Sequence, residues 1–479
     1  MSGRLRQAGG TPGPPPRSRE QASRVDTASP SSDSALWHPH RRAFTAGLIL
    51  VITLVAFEAM GVGTALPTIV ADFHASQWYS WPLTVFLSAS AAGTVLGGRV
   101  ADTRGPAVPL LVALPSFAAG LLLAALAPGM AVLLVARVVQ GLSGGVLIVS
   151  LYVMIARVYP ERHRPAAFGA LSAAWVVPAL VGPLIAGLLT EHASWRWVFG
   201  GLAPLVCLGA GLLVPTLRRF GERGAEPAEA RPRLPWAAVG AAVSVVALTW
   251  SAQQASLLAL GVAVVGLVVL VPSLLRLLPP GTLRARPGLP VMVLARGLLA
   301  GLFFTAQAFV PLSLTVVHGF SASAAGLPLT VGSLGWSVGA LWQSRQRRLR
   351  GEQIVAAGFC LVGTGVFALL QALPSWGAPW LVFVGWFVAG MGMGISVATT
   401  AVVVLSLSPE AARGFNSSAL QISDMLGQAL LVGAGGVVVS ALATADAPTR
   451  GVLPLDLGLL VATLPAAVVL LRAGRVERV

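Results

Sequence analysis

Glu58, Arg137 and Asp424 stand where charge is expensive, inside long apolar stretches of a 479-residue chain. Of its 17 acidic residues, the expectation is that only Glu58 and Asp424 fall well inside such stretches. A carboxyl in a low-dielectric, partly wetted cavity can take up or release a proton according to what else occupies the cavity. Exchange of a proton for a cation is the chemistry this supports. For Glu58 three roles stay open: proton coupling or substrate contact, a fixed ion pair with Arg137, or a permanently neutral structural acid. Arg137, costing at least ~2.5–3.5 kcal/mol at a bilayer centre, needs a polar partner or a wet cavity. It either joins the proton chemistry or ties helices together through backbone carbonyls. Asp424 belongs to the stripe Ser417, Gln421, Asp424, Gln428, spaced four, three and four, which sets one face of a helix. That face either lines a cavity or binds another helix near Arg296. Thr305, Gln307, Trp336 and Trp386 are further pocket-wall candidates, with plain packing as the alternative for the aromatics.

Other chemistries are excluded by composition. Apolar residues make up 56% of the chain and charged residues 10%, against roughly 45–50% and about 25% in soluble domains. The six His residues lie in tails or loops without metal-ligand spacing, so no metal is expected. There is no Lys, hence no Walker sequence, and no direct use of ATP. No cofactor is expected, and an ion gradient remains as the energy source. Cys207 and Cys360 sit in apolar runs and read as small core residues.

Stepping along the apolar runs predicts fourteen spans, near 45–69, 79–99, 106–127, 130–155, 167–189, 196–216, 236–252, 256–278, 290–316, 324–343, 353–372, 379–405, 416–442 and 453–472. The expected class is an all-α membrane protein. With both termini inside, 28 of the 32 Arg fall in cytoplasmic segments, two (Arg196, Arg450) outside and two (Arg137, Arg296) in spans. The net charge of +15 is therefore positive-inside patterning, not a nucleic-acid surface. Residues 1–42, rich in Pro, Gly, Ser and Arg, read as a disordered basic cytoplasmic tail.

An internal repeat pairs the helices. Pro82-Leu83-Thr84-Val85 recurs as Pro328-Leu329-Thr330-Val331, and at the same offset of 246 Gly93 aligns with Gly339. Arg137 to Gly145 resembles Trp386 to Gly394 at an offset of 249. Helix 2 thus corresponds to helix 10 and helix 4 to helix 12. The predicted organisation is a six-helix bundle (43–217), a linker with inserted helices 7 and 8 (218–289), a second six-helix bundle (290–472) and a short tail (473–479). Parallel repeats of this kind place a substrate cavity between the bundles near the midplane.

Four motifs carry a resemblance to the major facilitator superfamily, and within it to the fourteen-helix drug:proton antiporters, over roughly residues 45–472. Glu58 precedes Ala65-Leu66-Pro67 on helix 1, with Glu where that branch usually has Asp. Gly98, Asp102, Arg104 and Gly105 resemble the gating loop after helix 2, although Thr103 replaces a basic residue. Arg137, Gln140, Gly141, Gly144 and Gly145 resemble the helix 4 signature. Gly169, Pro178, Gly182, Pro183 and Gly187 resemble the antiporter motif on helix 5, with Pro178 and Ala186 in place of glycines. The Ser194-to-Phe199 segment beyond reads as an aromatic belt at the outer interface.

The resemblance implies the major facilitator fold and, as function, proton-coupled export of amphipathic, chiefly cationic drugs or metabolites by alternating access. It also implies that Asp102 gates the switch by charge pairing and that Arg137 is linked to proton transfer. The alternatives are a narrow-specificity permease for one metabolite and a non-transporting sensor or scaffold. The partners expected are a small-molecule substrate, protons and the lipid bilayer, with a monomer sufficient. Heavy Ala, Gly, Val, Pro and Arg usage points to a high-GC bacterium and its cytoplasmic membrane.

Overall fold

The computed structural model describes residues 36–220, 234–346, 348–444, 447 and 449–473. Residues 1–35 of the expected N-terminal tail, 221–233 of the expected linker and 474–479 at the C-terminus lie outside them. Among the described residues there is no β-strand. Fourteen helices are long and apolar enough to cross a membrane. They are α1 (Arg42–Asp72), α2 (Trp81–Arg104), α3 (Ala107–Ala125), α4 (Met130–Val158), α5 (Arg164–His192), α6 (Leu202–Phe220), α7 (Leu234–Ser251), α8 (Leu257–Leu277), α9 (Leu289–His318), α10 (Ala322–Arg345), α11 (Gly351–Ala372), α12 (Leu381–Leu407), α13 (Arg413–Leu442) and α14 (Val452–Ala473). Their ends lie within a few residues of the apolar runs. Since successive helices reverse direction, α1 starts and α14 ends on the same side, here the terminus side; the opposite side is the far side.

Local chemistry stops the helices where the runs stop. Proline occupies the first turn of α2, α5 and α9, where an N–H has no intrahelical partner to lose. Ser256 caps α8 by accepting from the Ala259 N–H at 3.1 Å. Gly105 ends α2 with φ +80°, a backbone region that a side chain disfavours.

The contacts divide the helices into two equivalent bundles. In the first, α1 packs on α5 and α6, α4 on α2 and α3, and α3 on α6; in the second, the corresponding pairs are α9 with α13 and α14, α12 with α10 and α11, and α11 with α14. The repeat extends to single atoms. A Cβ on Gly141 would strike the Phe86 carbonyl and one on Gly145 the Ser90 carbonyl; in the second bundle Gly390 meets the Gly332 carbonyl and Gly394 that of Trp336. Both pairs preserve the offsets read from the sequence. With no hydrophobic drive between helices in lipid, such close backbone approach is what holds α2 to α4 and α10 to α12.

The bundles meet along two seams, α5 with α10 and α2 with α13. The inserted α7 and α8 pack on each other, and α7 also packs on both α2 and α13. A small apolar cluster fixes it there, formed by Ala91 of α2, Ala241 and Val245 of α7, Leu270 of α8 and Leu426 and Ala429 of α13. The inserted pair therefore covers one seam and leaves the other bare. Outward-facing Leu257, Leu260, Val264 and Val268 on α8 are exposed, as lipid-facing residues should be.

Two sequence readings are corrected. Cys207 and Cys360 are not core residues: both are free and exposed on the outer surfaces of α6 and α11. The segment after Ser194 is only partly a belt. Trp197 is 59% exposed, but Trp195 and Phe199 are buried, and the Trp195 Nε1–H donates to Asp72 at 3.0 Å. Arg196 pairs with the same carboxylate at 3.2 Å and stacks 4.3 Å from the Trp195 ring. A polar anchor at the end of α1 is the reason for the inward turn.

Candidate functional site

Between the bundles lies a cavity of about 530 Å³, lined by α1, α2, α4, α5, α9, α10 and α13. That volume is within the ~300–1,000 Å³ of sites for drug-sized molecules. Toward the terminus side its wall reaches Tyr152, Ser172, Arg296 and Ser337, each about two turns from the end of its helix. Far-side contacts close the other end. Glu191 of α5 accepts from the Ser323 hydroxyl of α10 at 2.7 Å, and Gly187 and Gly326 bring the same two helices into backbone contact. Just before α2 the Tyr79 hydroxyl donates to the Ala308 carbonyl of α9 at 2.8 Å, and its ring stacks on Phe309, a further link between the two bundles.

Two carboxylate–guanidinium pairs flank this space, one in each bundle. Glu58 of α1 is ion-paired with Arg137 of α4, both fully buried. The Arg137 guanidinium is held from three other directions. It donates to the Pro82 carbonyl at 3.1 Å and to Gln140 Oε1 at 2.7 Å, and it sits 4.2 Å above the Phe86 ring. Gln140 in turn donates to the Gly120 carbonyl of α3 at 3.0 Å. Thus α1, α2, α3 and α4 converge on one charge. Arg137 forms part of the inner cavity wall, whereas Glu58 stands behind it and does not line the cavity.

In the second bundle Arg296 of α9 donates to Asp424 of α13 at 2.9 Å and to the Val397 carbonyl of α12 at 3.1 Å. Gln428 donates to the other Asp424 oxygen at 3.2 Å. This pair lies in the wall and is partly open, its side chains 13% and 20% exposed. The sequence left Asp424 between a cavity face and a helix–helix tie to Arg296; the structure gives it both.

The other expected pocket residues divide. Gln307, Trp336 and Gln428 line the cavity. Trp386 does not: it is fully buried, its ring stacked 5.3 Å from Phe303 and its Nε1–H donating to Gln307 at 3.2 Å. Thr305 is on the opposite face of α9, near Gly435 and Leu455, and Gln421 lies outside the lining. Phe303, Phe304, Tyr152 and Trp175 line the wall without having been singled out. With Trp336 the two phenylalanines form a set of rings 5.2–6.4 Å apart, a surface suited to an organic cation.

The motifs are also placed. Gly141 and Gly145 serve α2–α4 contact, while Gly144 reaches the cavity. On α5, Gly182 faces Phe57 and Met60 of α1, Gly187 contacts α10, Pro183 reaches the cavity, and Pro178 is buried. Gly169 has open space around it. Asp102 is exposed near the end of α2 and makes no ion pair with any described residue, so the charge pairing expected of the Gly98–Gly105 loop is not formed here.

One acid escaped the sequence reading. Asp456, five residues into α14, is fully buried, and neither carboxylate oxygen accepts a hydrogen bond from a described residue. The expectation of two intramembrane acids is thereby corrected to three. The signal was its position inside the last apolar run, close enough to the end to pass for a loop charge.

Comparison with known proteins gives a consistent picture. Residues 48–432 match the sequence model of the Major Facilitator Superfamily. An uncharacterized MFS-type transporter of Mycobacterium tuberculosis is 30% identical over 397 residues, 78% of this chain, which spans 56% of that relative's length. A protein of the same organism named a probable multidrug-efflux transporter is 28% identical over 392 residues, 78% of this chain and 83% of its own. The efflux pump dotC of Dothistroma septosporum is 33% identical over 167 residues, 35% of this chain and 28% of its own. Among solved structures, a POT peptide transporter in complex with alafosfalin superposes with a TM-score of 0.67 at 17% identity, over 90% of this chain and 95% of that one. A bacterial homolog to the human lysosomal transporter Spinster gives 0.63 at 16% identity, over 91% and 96%. At such identities these structures speak for the fold alone.

Proposed function

The chain belongs to the Major Facilitator Superfamily, and from that premise we propose that it is a proton-coupled exporter of amphipathic, chiefly cationic compounds. The observation that carries this reading is the buried Glu58–Arg137 pair at the cavity, with Arg137 in the wall and Glu58 directly behind it. A buried pair costs desolvation that its mutual attraction only partly repays, so replacing it with apolar side chains would serve a purely structural bundle as well or better. Retained against a cavity, it has a use as a switch: a proton arriving on Glu58 frees Arg137, and its loss restores the pair. A cationic substrate against Asp424 and the aromatic wall then competes with protons for the same state of the protein. The multidrug-efflux name of one relative supports the direction of transport.

The moving units are residues 43–217 and 290–472, rocking about the cavity, and one chain contains both. The Arg distribution supports a cytoplasmic terminus side in a bacterial plasma membrane. The conformation is then inward-facing, sealed on the outside by α5–α10 and α2–α13. Glu58, Arg137 and Asp424 carry the coupling and substrate chemistry. Gln307, Trp336 and Gln428 contribute to the pocket, and Asp102 joins a charge pair only in the opposite state.

The test is dissipation of a proton gradient in inverted vesicles. Several unrelated lipophilic cations should collapse the gradient, and Glu58→Gln should slow the initial rate at least about tenfold, the equivalent of ~1.4 kcal/mol. Collapse by a single compound would instead indicate a narrow permease, and no response from any solute a sensor or scaffold.

A further inference from the structure

A second cavity, of about 600 Å³, lies away from the transport path on the terminus side. It is lined by His40, Arg41, Arg157, Arg164 and Arg219, with Glu161 as the one acid among the described residues of its wall. These residues come from four helix ends. Arg41 precedes α1, Arg157 is in the last turn of α4, Arg164 opens α5 and Arg219 is in the last turn of α6. The chain thus brings four guanidiniums to the level at which its spans end, where lipid phosphates lie.

The wall is ordered rather than a loose crowd of surface charge. Arg164 donates to the Ala156 carbonyl at 2.8 Å and to the Tyr159 carbonyl at 3.3 Å, which fixes its guanidinium. The Arg41 guanidinium lies 5.9 Å from the Tyr159 ring, and the Tyr159 hydroxyl is itself held by Thr45 at 2.6 Å. Glu161 is 3.5 Å from Arg164 but its side chain is 90% exposed, so it screens the cavity weakly. Among the described residues Arg41, Arg164 and Arg219 face one weakly screening carboxylate, and a positive wall of this kind, in a concave site between membrane helices, favours an anion with several acceptor oxygens.

We propose that this cavity binds the phosphodiester of an anionic phospholipid headgroup, one lipid per chain, between the ends of α1, α4, α5 and α6. The shared chemistry is a phosphate; the level of the site in the bilayer assigns its source to lipid. Bound there, the headgroup bridges the ends of the helices that carry Glu58 and Arg137.

Binding can be read by native mass spectrometry of the full chain in neutral detergent, titrated with short-chain phosphatidylglycerol, phosphatidylcholine or inorganic phosphate. One saturable phosphatidylglycerol should bind, with phosphatidylcholine and inorganic phosphate each at least about tenfold weaker. Arg219→Gln, at an exposed helix end, should weaken phosphatidylglycerol about fivefold, and Arg164→Gln more. Arg276→Gln, on the same side but at the end of α8, should leave it unchanged. Equal binding of phosphatidylcholine, an unchanged Arg219→Gln, or an equal loss in Arg276→Gln would overturn the proposal. Inorganic phosphate binding as tightly as phosphatidylglycerol would overturn the lipid assignment. The readout needs no transport, so it stands or falls separately from the exporter reading.

Discussion

Glu58 and Asp424 are both paired with arginine, but only Asp424 touches the cavity, and that difference makes their roles separable by experiment. Asp424→Asn should weaken binding of cationic substrates about tenfold, as loss of one ion contact implies, while neutral amphiphiles of similar size bind as before. Glu58→Gln should make cation binding independent of pH and remove coupling to the proton gradient, while neutral amphiphiles bind as before; binding measured at two pH values beside gradient dissipation distinguishes the two variants. If both variants lose cation binding alike, the two carboxylates act as one site. Legibility in the sequence follows the same physics. A charged residue in an apolar run stands out because lipid makes it costly, so Glu58, Arg137, Arg296 and Asp424 were visible. Phe303, Phe304 and Tyr152 were not, because a helix with lipid on one face and protein on the other is apolar all round and lacks the period that marks a buried stripe. Asp456 was hidden by proximity to a helix end.

At the scale of helices, the pairing of α2 with α4 and of α10 with α12 rests on glycines that admit a neighbouring carbonyl. Gly141→Ala and Gly390→Ala should therefore destabilise alike. In both cases a Cβ meets backbone, which cannot swing aside, and overpacking of this kind costs roughly 1–3 kcal/mol. A thermal-shift series in detergent should lower the transition in both variants and leave it in place for Gly169→Ala, where the added methyl group meets open space. A large loss at Gly141 with none at Gly390 would mean that the repeat is not energetic. Helix count and the correspondence of α2 with α10 were legible because hydropathy and register are local properties of the chain. The position of α7 and α8 along the α2–α13 seam was not, since their outward and inward residues are equally apolar.

For the whole molecule, the far-side contacts are what must break for the cavity to open on that side. The α5–α10 closure rests on Glu191 and Ser323, so joining those positions should hold the protein in the state described. With both native cysteines replaced, Glu191→Cys/Ser323→Cys bridged by a short bifunctional thiol reagent should lose transport about tenfold or more and recover on reduction. Undiminished transport in the bridged protein would mean that these helices do not separate. The covered seam adds an asymmetry, for α7 must slide on α2, on α13 or on both, whereas α5 and α10 part against lipid alone. The two native thiols then acquire a use of their own. Cys207 and Cys360 project outward from helices of opposite bundles, clear of the cavity and of every ion pair. Spin labels attached to them form a molecular ruler already written into the natural sequence, on which magnetic dipolar coupling reads the distance between the two halves during a transport cycle.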